Sequence, residues 1–159
     1  LIALFLEGFG NRKPIHYSAM ASPHFVYSVS TRSVTEIEAV LEPSTVHGAD
    51  LRFHGVVRDR EEGRPLAGID YSHYEAMALK ELHRIGEAME EEFPGHLALV
   101  HHVIGYVPAG VASILIRVQT AHSAEAFEIS REYLRRIKTT VPIWKKPVFE
   151  GDELPSNLS

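Results

Sequence analysis

The chain has 159 residues, 45% of them hydrophobic, with a formal net charge of -5. That length supports one domain with a substantial core and is short for two. Net acidity speaks against the broad basic face of a nucleic-acid binder, and the absence of cysteine removes disulfides, thiolate metal ligands and a thiol nucleophile.

The apolar opening Leu1 to Leu6 is far shorter than the roughly 20 residues a membrane span needs, and no basic stretch or cleavage site marks a secretory signal. The expectation is a cytoplasmic protein without membrane contact. Residues 1–19, which precede Met20, read as a disordered upstream extension, and residues 20–159 as a single domain. Phe25 to Thr31 alternates apolar and polar side chains and predicts a half-buried strand. Ser33 and Glu36 form a capping-box pattern that opens a short helix through about Leu41, closed by Pro43. Leu51 to Arg58 returns to strand, Asp59 to Gly63 is a polar turn, and Leu66 to Tyr74 reads as the antiparallel return strand.

From Glu75 to Phe93, Ala78, Leu82, Ile85 and Met89 recur with helical period, and Pro94-Gly95 ends the helix. The glutamates near its end, Glu87 and Glu90 to Glu92, are a solvated face with no catalytic role. Leu97 to Ile104 and Val111 to Thr120 are strands joined around Gly105 and Gly110. Ala121 to Thr140 is a second long helix, with Phe127, Leu134 and Ile137 on its inner face. Two principal helices and mostly antiparallel strands make an α+β domain.

Ten histidines raise a metal hypothesis, but their spacing lacks any His-x-x-x-His pair, and His101 and His102 point to opposite faces of a strand. No phosphate-cradling glycine loop is present. Cations are distributed more informatively. Six of the sixteen Lys and Arg residues fall between Arg131 and Lys146, around Pro142, which stops the helix near Thr140 and redirects the chain. Such a cluster can simply complement the negative end of a helix dipole. Trp144, the chain's only tryptophan, placed directly before two lysines, sets an alternative beside that reading, since an aromatic wall next to cations is how a small polar ligand is oriented and shielded.

The run Val141-Pro-Ile-Trp-Lys-Lys146, with Lys138 seven residues before Lys145, resembles the signature of the large, catalytic subunit of molybdopterin synthase. Three further pieces agree in order: His54-Gly-Val-Val-Arg-Asp59 followed by Gly63-Arg64, Tyr71-Ser-His-Tyr-Glu-Ala-Met77, and Thr120-Ala-His-Ser-Ala-Glu-Ala-Phe127. The resemblance extends from about Phe25 to Asp152. It implies the α/β-hammerhead fold and a sulfurtransferase that inserts two sulfurs into cyclic pyranopterin monophosphate, making the molybdopterin dithiolene of molybdenum cofactor biosynthesis. It also implies no cofactor and no metal. The expected partners are a ubiquitin-like small sulfur-carrier subunit with a C-terminal thiocarboxylate and a second copy of this chain, giving a heterotetramer around a central homodimer.

By the same resemblance, Lys138 and Lys145 are the catalytic lysines, with Lys145 in general acid/base work and Lys138 holding the thiocarboxylate and the sulfurated intermediate. Arg58 and His122 match substrate-binding positions. Ser123 stands where the family commonly has arginine, which removes a positive charge and a bidentate fork from the phosphate site. Lys146 or Arg64 is the candidate to compensate, so Ser123 and Lys146 join the substrate-binding set. A competing reading is a non-catalytic module that binds a phosphorylated metabolite or an acidic partner tail through the same cations.

Overall fold

The computed structural model describes residues 19–22 and 24–155. The expected upstream extension lies, Ala19 apart, outside the described residues. The elements in chain order are β1 (Ala19–Ser22), β2 (Phe25–Ser30), α1 (Val34–Glu38), β3 (Ala49–Val56), β4 (Arg60–Glu61), β5 (Arg64–His73), α2 (Glu75–Glu92), β6 (Leu97–Val103), β7 (Gly105–Pro108), β8 (Ala112–Thr120), α3 (Ser123–Thr140) and β9 (Ile143–Phe149). This is the α+β architecture expected, with two main helices. Among the described residues no helix is long and apolar enough to cross a membrane.

The larger sheet has strand order β1-β2-β6-β8-β3, and all its ladders are antiparallel except β2 with β6. Alternation along the strands sends Ala98 and Val100 of β6, and Ile114, Ile116 and Val118 of β8, to one face, where they pack against α2 and α3. Leu99 and Val103, with Leu115, face the other way, towards α1 and the second sheet. In that second sheet β5 lies between β7 and β9, and its first residues also pair with β4. Gly68 permits this crowding, because a Cβ there would stand 2.5 Å from the Val107 carbonyl oxygen.

Local signals act as read for α1, where the Ser33 hydroxyl accepts from the Glu36 amide and the Glu36 carboxylate accepts from the Ser33 amide, at 3.2 and 2.7 Å. In α2 the residues Ala78, Leu82, Ile85 and Met89 are all buried, and Gly95, with φ of +88°, turns the chain out of the helix. On the far side of the larger sheet, Arg117 is a buried cation satisfied by both Asp50 carboxylate oxygens, at 2.9 and 2.6 Å, and by the Glu42 carbonyl at 2.8 Å. It ties β8, β3 and the loop after α1 together.

Three expectations need correction. The return strand β5 does not pair with β3, whose residues Ala49 to Val56 are committed to β8. Only the two-residue strand β4 closes the expected hairpin, and β5 then runs between β7 and β9. The connection around Gly105 and Gly110 contains a strand of its own, β7, and β1 adds an edge before Phe25.

Finally, Phe127 is not on the inner face of α3. It is 65% exposed, while Ala126, Ile129, Ser130, Tyr133 and Ile137 are buried. The true stripe contains two small residues, so hydropathy alone rotated it by one position. Phe127→Ala should therefore change stability by no more than about 0.5 kcal/mol, whereas Ile129→Ala should cost about 2 to 5 kcal/mol. Urea unfolding of the two variants checks the assignment, and a larger loss at Phe127 would overturn it.

Candidate active site

Helix α3 ends where its chemistry requires. Val141 leaves helical geometry at φ of -78° and ψ of 122°, its amide still donating to the Ile137 carbonyl, and Pro142 follows. The Pro142 carbonyl accepts from the Tyr74 amide at 3.3 Å, which anchors the break against the start of α2. Strand β9 then pairs with β5 in a register that sets Lys145 opposite Tyr71 and Lys146 opposite Asp70. Successive residues of a strand face opposite ways, so Lys145 and Lys146 are separated by the sheet.

The break folds Lys145 back towards Lys138, and both line one open cleft. Its apolar wall comes from Val56, Ile114, Leu134, Ile137, Val141 and Ile143. Gly55, Tyr71, His102 and Ser113 complete the lining. Gly55 lets β3 approach here, since a Cβ would stand 2.5 Å from the Ile114 methyl carbon.

The cation cluster divides. Arg135 and Arg136 both pair with Glu132, and Arg136 also reaches Glu92. The two guanidiniums hold the Glu132 carboxyl down at about 2. These arginines are occupied with the surface of α3. Lys138 and Lys145 make no ion pair among the described residues, so their charges remain available to a ligand.

Below them lies a polar floor. His102 donates from Nδ1 to the Val103 carbonyl at 2.8 Å, and Tyr71 packs edge-on against its ring at 5.0 Å between centroids. Burial, with His101, His73 and Lys145 nearby, pushes the His102 imidazole down to about 4. Burial raises the Tyr71 phenol, partly offset by Ser113. The Ser113 hydroxyl donates to the Gly55 carbonyl at 3.2 Å. Sequence reasoning passed over this floor, although the opposite facing of His101 and His102 was legible and Tyr71 begins the segment Tyr71 to Met77 that carries part of the family resemblance. Nothing local in the sequence brings Tyr71, on the second sheet, beside His102 on the first.

The profile of the MoaE protein family matches residues 28–140, which is most of the chain. The chain belongs to the MoaE family. The molybdopterin synthase catalytic subunit of Bacillus subtilis (strain 168) is 38% identical over 106 residues, 67% of this chain and 68% of that protein. That of Nostoc sp. (strain PCC 7120) is 32% identical over 123 residues, 77% of this chain and 74% of that one. Some relatives are longer: the match spans 58% of the Emericella nidulans subunit and 29% of the Drosophila erecta subunit. The molybdopterin synthase structure from Staphylococcus aureus superposes with a TM-score of 0.70 at 31% identity, covering 77% of this chain and 90% of that one. A Helicobacter pylori chain, solved in a complex of subunits 1 and 2 of molybdopterin-converting factor, shares the fold at 20% identity, with a TM-score of 0.63 and coverage of 82% and 89%. MoaE membership makes this chain an enzyme subunit, the catalytic subunit of molybdopterin synthase in molybdenum cofactor biosynthesis.

The remaining residues singled out by the MoaE resemblance stand apart from the cleft. Arg58 follows β3 with its side chain 78% exposed, paired to Glu61 at 3.3 Å. His122 is the N-cap of α3, without a side-chain capping bond, and Ser123 is the first residue of that helix. Both are exposed. Fifteen residues separate Ser123 from Lys138, which at 1.5 Å rise per residue is about 22 Å of helix. Within one chain these MoaE positions cannot touch a small ligand together with Lys138. Lys146 is exposed on the face opposite Lys145, and Arg64 lies over the Phe149 ring at 3.6 Å. No group of three or more His, Asp or Glu side chains among the described residues is arranged to hold a metal ion.

Proposed function

We propose that Lys138 and Lys145 carry out sulfur transfer from the C-terminal thiocarboxylate of a small ubiquitin-like subunit to cyclic pyranopterin monophosphate. The observation that carries this reading is the convergence of two unpaired ammonium groups, from the end of α3 and from β9, in a half-apolar cleft whose neighbouring arginines are neutralised. Ammonium groups held in that setting stabilise the anionic charge that develops as a thiocarboxylate sulfur adds to a substrate carbon. Lys145, backed by Tyr71, is the general acid/base, and Lys138 holds the thiocarboxylate and the sulfurated intermediate. The fold supports the partner, being shared with a chain solved in complex with the other subunit of molybdopterin-converting factor.

Reconstitution tests the proposal. Purified chain, thiocarboxylated partner and the pterin precursor should yield the dithiolene product. A module that only binds phosphorylated metabolites would leave the precursor unchanged.

The length of α3 supports a homodimer. If His122, Ser123 and Lys138 all serve one substrate, the helix start must come from a second copy, because about 22 Å separates them within one. Sedimentation of the isolated chain should give a dimer at micromolar concentration, and a monomer would count against this arrangement. Ser123→Arg should then tighten precursor binding by about 1 kcal/mol, the low end for a charge-assisted hydrogen bond. Calorimetric titration measures it. Unchanged affinity would mean that another cation already holds the phosphate.

A further inference from the structure

We infer that His102 orients the substrate heterocycle in the cleft, its Nε2 accepting a hydrogen bond from a ring N–H or exocyclic amine on the pyrimidine side of the pterin. This deepens the proposed function and rests on it. The inference starts from the strand. β6 alternates, so His101 turns to the far face, where Nε2 donates to the Arg32 carbonyl at 2.8 Å and Nδ1 accepts from the Ser28 hydroxyl at 2.7 Å. His102 turns to the helix face and lines the cleft with Lys138 and Lys145.

Its tautomer is determined by its partner. A carbonyl oxygen can only accept, so the 2.8 Å contact with Val103 puts the hydrogen of the neutral ring on Nδ1 and leaves a lone pair on Nε2. Tyr71, meeting the ring at 68°, holds its plane. Nε2 has no hydrogen-bond partner among the described residues. The groups around this ring are Tyr71 and His73 from β5 and Lys145 from β9, with Lys138 across the cleft, and His101 acts on it electrostatically from the other face of its own strand. None is an anion that would draw a proton onto Nε2, and burial opposes one, so the acceptor persists at neutral pH.

That acceptor complements the lysines. Two ammonium groups attract the phosphate and the thiocarboxylate but give the opposite, donor-rich edge of a pterin no fixed position. The Ser113 hydroxyl is engaged by Gly55, and the Tyr71 hydroxyl by Ser113. A pinned Nε2 beside an apolar wall fixes where a flat heterocycle stops and which way its donor edge turns.

The test compares His102→Phe, which fills the ring volume without an acceptor, with His102→Gln, whose amide oxygen reaches the place of Nε2. Precursor affinity, measured by calorimetry on the chain, should fall roughly tenfold or more in His102→Phe and recover in large part in His102→Gln. The loss should fall on affinity rather than on the single-turnover rate at saturating precursor with charged partner. Inorganic phosphate should bind all three proteins alike. Wild-type affinity in His102→Phe would overturn the inference. So would an affinity kept with a rate lost, which would place His102 behind Lys145 instead. Should the variants fail to fold, the wild-type protein still decides: the ¹⁵N resonance of His102 Nε2 must shift when precursor binds, and an unmoved resonance refutes the contact. Wild-type protein that neither binds nor converts the precursor would sink the proposed function itself, a different outcome from an indifferent His102→Phe.

Discussion

Lys138→Ala and Lys145→Ala should each lower single-turnover sulfur transfer by about 100-fold or more, while leaving the fold and partner docking intact. The geometry makes the expectation specific. Both lysines are exposed to the cleft and make no ion pair among the described residues, so alanine removes no packing and strands no buried partner. Lys146→Ala is the internal control. It removes the same charge one residue along the same strand, but from the other face of the sheet, and its effect should stay within a few fold. If all three substitutions produced equal, small losses, the cluster would be a general electrostatic patch and neither lysine would be catalytic. Arg135→Ala makes a second control, because that guanidinium already pairs with Glu132.

Acidification should unfold the protein well above the range in which carboxylates titrate. His96 and His101 are almost fully buried, and burial lowers both imidazoles below the ordinary value near 6.5, as it does for His102. His96 donates from Nδ1 to the Phe93 carbonyl at 2.6 Å and accepts at Nε2 from the Tyr133 hydroxyl at 2.8 Å, so protonation reverses that second bond. The native state binds fewer protons here than the unfolded chain. Stability is therefore complete above about pH 6.5 and falls as the pH drops through the unfolded value, levelling only at the native one, about 4 for His102. Each histidine contributes up to about 1.4 kcal/mol per pH unit in that window. Asp50 and Glu132 have carboxyls lowered by their arginines, so their contribution persists until the pH falls below the ordinary carboxylate range. Urea midpoints should drop steeply between pH 6.5 and 5. A flat profile there would mean that these histidines already carry protons in the native state.

Legibility followed sequence distance. The capping box, the apolar period of α2 and the break at Pro142 involve residues a few positions apart, and the structure reproduces each. The same holds for Lys138 and Lys145, which the proline break folds into one cleft. Strand partners were less accessible. Both β3 and β5 were recognisable as strands, but the choice between pairing them and assigning β3 to β8 depends on residues more than fifty positions away. Phe127 failed for another reason, because the buried stripe of α3 passes through Ala126 and Ser130, whose burial depends on close packing rather than hydropathy. The separation of His122 and Ser123 from Lys138 was computable from helix length, yet a list of motif matches carries no distances.

Among the described residues β9 pairs only with β5, so its outer side is an open edge of the second sheet as described. Such an edge is a template on which further chains can grow, unless charge or missing amides discourage them. Lys145, Lys146 and Pro147 occupy its middle, two like charges followed by a residue with no amide hydrogen to offer. Lys145, which lines the cleft, thus belongs to a short guard against fibrillar stacking. Lysine-to-alanine variants, made to silence turnover, should also be less soluble at high concentration, through a colloidal weakness quite separate from the chemistry they were designed to remove.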